Sequence, residues 1–224
     1  MSVGVSKRYD AYKDSGFEWL SDVPTCWKVT RNKDIFSERG SLSQSGDETL
    51  LTVSHITGVT RRSEKSVNMF MAETMEGYKH CKAGDLIINT MWAWMGALGT
   101  AREDGICSPA YGVYAPRKFM PYSPRYFDYL YRTQKAIAEM TRNSKGIVSS
   151  RLRLYPKDFF QIHTALPGYA EQTEIADYLD TTTVQIDLEI DLLTKKASYY
   201  GELRLSLIDE GLAESPKPVE LTAA

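Results

Sequence analysis

No stretch of this 224-residue chain is apolar for long enough to cross a membrane as a helix. A spanning helix needs about 20 mostly apolar residues. The longest uncharged run, Leu86 to Ala101, has 16 residues and includes Asn89 and Thr90. The N-terminal MSVGVSKRYDAYKD lacks the apolar centre of a signal peptide. Mean hydropathy is −0.36. These features together predict a soluble, cytoplasmic chain. Cysteine is scarce as well. Cys26, Cys81 and Cys107 are odd in number, far apart and form no CxxC pair, which argues against a disulfide framework or a zinc site. The histidines, His55, His80 and His163, are equally scattered, so no metal site is expected.

Enzyme signatures are missing too. The chain has no GxGxxG, GxxxxGK[ST], GxSxG or HExxH. Ser108 to Tyr111 reads SPAY, close to the catalytic tetrapeptide of amino-methyltransferases. Ala110 stands where that motif has its second proline, and no glycine-rich cofactor loop lies upstream. Glu171, Glu174 and Asp177 complement the dipole of the helix they open and make no acid–base pair. No catalytic residue is expected on this chain.

What the chain does have is unevenly spread. Its net charge is −2. Up to Ala165, 23 Lys and Arg face 17 Asp and Glu; from Leu166 onward, 4 face 12. A basic body (+6) therefore precedes an acidic tail section (−8), and the asymmetry suggests two jobs, one of them involving a polyanion.

The body reads as mixed α and β. Leu50 to Val59, Leu86 to Thr90, Tyr111 to Ala115 and Phe159 to Leu166 are strand-like. Ser123-Pro124 offers an N-cap and a first-turn proline for a helix predicted to run to Met140. Asn143 to Gly146 is a turn. From Ala170 to about Glu210 the chain has one glycine and no proline. Leu179, Ile186, Leu193, Tyr200 and Leu207 recur every seven residues, with Ile175, Ile190, Ala197 and Leu203 widening the stripe. A helix of about 40 residues is about 60 Å long, more than a body of this size covers. The period implies a coiled-coil partner, although Thr182, Glu189 and Lys196 interrupt the second seam. A long helix folded back on the body is the alternative. The expected fold class is α+β: a mixed globular domain over residues 1–167, one long helix over 168–212 and a polar tail over 213–224.

Three clusters are candidates for binding. Arg132, Lys135, Arg142, Lys145, Arg151 and Arg153 fall within 22 residues that contain one acidic residue, Glu139. Within them Arg142-Asn-Ser144-Lys145-Gly makes a turn suited to backbone phosphates. Arg61, Arg62 and Lys65 form a second basic turn after a strand, able to reach into a groove. Met91 to Met95 (MWAWM) places two tryptophans two residues apart between a strand and a glycine-rich turn. Core packing accounts for one of Trp92 and Trp94; the other is expected near a ligand.

With these residues in view, the chain resembles the DNA specificity subunit of type I restriction-modification systems, in a half-length form. The resemblance lies in Tyr12 to Trp27 (YKDSGFEWLSDVPTCW), in Gly84 to Tyr114 with SPAY at a strand entrance, in Ser144 to Arg151 (SKGIVSSR), and most specifically in Leu166 to Asp180 (LPGYAEQTEIADYLD). It implies a target recognition domain that reads a DNA half-site. It implies a long helix that pairs antiparallel with a second one as a spacer and carries docked methyltransferase subunits. It also implies that S-adenosylmethionine sits on the methyltransferase, with no cofactor on this chain, and that a restriction subunit is a further partner. Full-length members of that family carry two recognition domains and two long helices. One of each here points to a homodimer through the helix and a split inverted-repeat target. A fragment, or a cassette that joins another half, is the alternative architecture. A coiled-coil module that docks proteins without reading bases is the alternative function.

Overall fold

In the computed structural model, residues 9–65, 74–148 and 151–213 are described. The chain opens with strands β1 (Tyr12–Asp14), β2 (Asp22–Pro24) and β3 (Lys28–Arg31), a single helical turn α1 (Asn32–Ile35) and β4 (Phe36–Glu38). Strands β5 (Leu51–Ser54), β6 (Gly58–Arg61), β7 (Lys79–Cys81), β8 (Leu86–Asn89), β9 (Leu98–Thr100), β10 (Gly105–Cys107) and β11 (Tyr111–Pro116) follow. Next come helices α2 (Pro124–Tyr131), α3 (Gln134–Asn143) and α4 (Pro156–Phe159), strand β12 (His163–Leu166) and the long helix α5 (Tyr169–Ala213). The fold class is α+β, a sheet-rich domain followed by a long helix.

The centre is a four-stranded antiparallel sheet in the order β4-β11-β8-β9. Strand β8 explains why its sequence, LIIN, is apolar without alternation. Leu86 and Ile88 face a core with Phe36, Tyr114, Phe127, Tyr131 and Phe159. Ile87 faces the opposite core with Leu51, Val53, Val59, Cys81, Cys107 and Val113. A strand covered on both faces needs apolar residues at every position.

Three elements depart from the sequence-based expectation. The strand expected over Leu50 to Val59 is a hairpin of β5 and β6, in register Leu51↔Arg61 through Ser54↔Gly58. Gly58 has a φ of +67°, and Ser54 Oγ accepts from the amides of Ile56 and Thr57. A β-branched run says nothing about where it turns; the serine and glycine decide that. The helix from Pro124 breaks after Tyr131, whose ring is fully buried and whose hydroxyl donates to Asn32 Oδ1 at 2.8 Å. Thr133 then caps α3 by accepting from the Ala136 amide. The stretch from Phe159 to Leu166 is strand only from His163, where β12 pairs with β3. By contrast Leu86 to Thr90 and Tyr111 to Ala115 match β8 and β11 closely.

By contact, one compact unit runs through Ala176 and a second begins at Asp177. In the first, Gln172 is completely buried. Its Oε1 accepts from the Ser123 amide (2.8 Å), and its Nε2 donates to the carbonyls of Pro121 (3.0 Å) and Pro167 (2.9 Å). Next to it Glu171 accepts from the Tyr9 hydroxyl and from Trp27 Nε1. In the second unit, every described residue from Val184 to Ala213 is exposed. The seven-residue seam of Ile186, Leu193, Tyr200 and Leu207 is joined by a separate row of Leu188, Leu192 and Tyr199. Thr181, Thr182, Thr183 and Thr194 return their hydroxyls to carbonyls four residues back, so the helix runs through these β-branched positions. The expected polar tail lies outside the described residues, except Ala213, which closes the helix. Among the described residues no helix is long and apolar enough to cross a membrane.

Candidate nucleic-acid interface

The tryptophan stretch forms a turn. After β8 the chain makes a 3-10 turn (Ala93–Met95) that ends at Gly96 with φ +80°. That left-handed φ is what favours glycine there; a side chain on Gly96 would also sit 2.7 Å from Ile137 Cδ1 on α3, which would have to shift. Trp92 is 48% exposed. Trp94 is partly buried and donates its indole N–H to the Met91 carbonyl at 3.0 Å. Because the segment is helical, the two rings do not share a face as they would on a strand. The half-exposed ring is Trp92, beside the exposed thioether of Met95.

The turn after α3 sits next to this one. Ser144 terminates the helix: its amide donates to the Thr141 carbonyl and its hydroxyl to the Met140 carbonyl. Lys145 and Arg153 then exchange both backbone hydrogen bonds, at 2.8 and 2.9 Å. Gly146 is required there, since a Cβ would lie 2.7 Å from the Arg151 carbonyl oxygen. Arg153 Nη2 lies 3.7 Å from Met91 Sδ, and the Leu154 amide donates to the Thr90 carbonyl. Two clusters that the sequence offered separately, Trp92 and the Ser144–Lys145 turn, are thereby neighbours. Lys145, Arg151 and Arg153 have no carboxylate within ion-pair distance among the described residues.

Other basic candidates are already engaged. Arg142 pairs with Glu18 at 2.9 Å and with Glu139 at 3.3 Å. Arg61 grips Glu103 through two bonds of 2.6 Å, and that guanidinium holds the Glu103 carboxyl below the ordinary carboxylate range. Arg62 lies in the 3-10 turn after β6. Lys65 follows it, and burial pushes its amine down from the usual lysine value, with the Arg62 charge adding to the effect. Arg132 is structural: it donates to the Ile56 carbonyl at 2.6 Å and so holds the tip of the β5–β6 hairpin.

Exposed apolar side chains at these loops escaped the charge-based reading: Ile56, Met95, Ile147 and Val148. Their signal was present, since Ile147-Val148 is an apolar pair set inside a polar, basic turn. SPAY is the turn from β10 into β11, where the Ser108 carbonyl accepts from the Tyr111 amide and the Ala110 carbonyl accepts from the Thr90 hydroxyl.

No family model and no curated protein matches the chain. Solved structures do. The HsdS subunit from Thermoanaerobacter tengcongensis is 17% identical, with a TM-score of 0.48 over 79% of this chain and 41% of that one. A chain from structural work on complex assembly and conformational transition of the type I R-M system is 16% identical, with a TM-score of 0.56. That match covers 90% of this chain and 52% of the other. At such identity the likeness establishes the fold. This chain spans about half the length of the solved chains it matches, and its fold is similar to that of the matched chain from the type I R-M system.

Proposed function

We propose that the chain is the non-catalytic DNA specificity subunit of a type I restriction-modification system, acting in the cytoplasm. The observation that carries this reading is the fold match over nine-tenths of the chain to a chain from a type I R-M system about twice its length. In this reading the globular unit binds one DNA half-site. Lys145, with Arg151 and Arg153 beside it, contacts phosphates, which makes binding salt-dependent. Trp92 lies at the edge of the same surface, and Arg62 and Lys65 form a second contact, with Arg61 held on Glu103. Two chains pair through α5, on the seam of Leu179, Ile186, Leu193, Tyr200 and Leu207. The second exposed apolar row of α5 is left for a methyltransferase subunit, which holds S-adenosylmethionine; this chain holds no cofactor. A restriction subunit joins the same assembly.

Twofold pairing of identical recognition units makes the target a spaced inverted repeat. The test is to express the chain with its methyltransferase subunit and map methylated sites across a genome. The expected result is a split palindrome. An asymmetric motif would mean a different second half completes the subunit. Methylation independent of this chain would leave only a protein-docking role.

A further inference from the structure

We propose that Ile147 is a wedge that enters a base step of duplex DNA, presented beside the backbone bridge of Lys145 and Arg153. The inference rests on the DNA-binding reading above. Ile147 is fully exposed, at 104% of its reference area, and Val148 beside it is half exposed. An isoleucine held wholly in water forgoes the favourable burial that most such side chains obtain.

Around Ile147, the paired backbone bonds of Lys145 and Arg153, the Arg151 amide donating to the Val148 carbonyl at 2.8 Å, and the glycine required at 146 tie residues 145–148 to residues 151–153. The Leu154 amide ties the base of this segment to the Thr90 carbonyl beside the Trp92 turn.

The surroundings select the partner. Lys145, Arg151 and Arg153 flank the apolar pair, and none is neutralised by a carboxylate among the described residues. A protein hot spot calls for a broad, desolvated patch around its anchor. Two exposed aliphatic side chains flanked in the chain by cations that have no carboxylate partner among the described residues are instead what architectural DNA-binding proteins use. Cations hold the phosphates, an apolar side chain parts the stacked bases, and the duplex kinks. The wedge makes binding sensitive to step deformability, so it favours pyrimidine–purine steps without reading a base edge.

The experiment uses the full chain and a 40-base-pair duplex that it has itself enriched from a random library. The duplex carries 2-aminopurine scanned along its length and a dye at each end. Binding by the unaltered chain is expected to brighten 2-aminopurine at one step and to raise energy transfer between the ends. Ile147→Ala should abolish both signals and weaken binding roughly tenfold, while the dependence of affinity on salt is kept. Ile147→Leu should restore both signals. Lys145→Ala should keep the 2-aminopurine signal at saturation and lower the salt slope by about 1. Unchanged brightening and energy transfer in Ile147→Ala would overturn the wedge and leave DNA binding standing. If the unaltered chain enriches no duplex, the DNA reading itself falls, and the wedge with it.

Discussion

The side chain of Gln172 makes three hydrogen bonds with no access to water, and each of its partners is a backbone group. Gln172→Leu is therefore expected to cost about 2–3 kcal/mol, the desolvation penalty of stranded buried polar groups, measured by urea unfolding. Asp85 is a second such point. Its carboxylate is almost wholly buried, accepts two bonds from Arg39 at 2.6 and 2.9 Å, and caps the Lys82 amide. The pair raises the Arg39 guanidinium above its ordinary value. Asp85→Ala leaves that cation without its counter-ion. Because Arg39 keeps some exposure, the cost falls at the low end of the buried-pair range, about 3 kcal/mol, again read by urea unfolding. The surface cations behave differently. Arg142 spends its charge on Glu18 and Glu139. In fluorescence anisotropy with a duplex, Arg142→Ala should leave the salt slope of binding unchanged, whereas Lys145→Ala should lower it by about 1.

At the scale of elements, α5 is the testable piece. Gly201 sits within it, and nothing lies within 4 Å of the position where a side chain would go. Gly201→Ala should stabilise the helix by about 1 kcal/mol, seen as a higher midpoint for loss of helical circular dichroism. Ile186 lies mid-seam and is exposed in the single chain. If the helix pairs, Ile186→Glu buries a charge in the seam and should convert a dimer to a monomer in light scattering, with the sheet domain still folded. The break between α2 and α3 shows how an element yields to packing. The stretch 124–140 carries helical spacing throughout, yet burying Tyr131 against Asn32 and Thr164 ends the first helix, and Thr133 restarts the second.

For the whole molecule the first quantity is mass. The chain weighs 25.3 kDa, so pairing through α5 predicts about 51 kDa, concentration-dependent if the pairing is weak. The basic body and acidic helix add an ionic-strength test. DNA affinity should fall steeply with salt, while dimer mass, resting on apolar burial, should hold.

The residue order alone determined the α+β class, the two strands β8 and β11, and the long uninterrupted helix. These follow from local periodicity and from where glycine and proline stand, and both act over a few residues. It also offered three candidate clusters, but not which of them meet. Only the tertiary structure decided that the Trp92 turn meets the strand of Arg153, because the links are a hydrogen bond from Leu154 to Thr90, across more than sixty residues, and the contact of Arg153 with Met91. Only it showed that Arg61 and Arg142 are occupied, since Glu103 and Glu18 are remote in the chain. The Glu171–Gln172 pair, within the stretch on which the sequence resemblance chiefly rests, locks the start of α5 to the segments around Trp27 and Ser123. Charge and apolar character are properties of a residue, but exposure and pairing belong to its neighbours, and those neighbours are assembled by the fold.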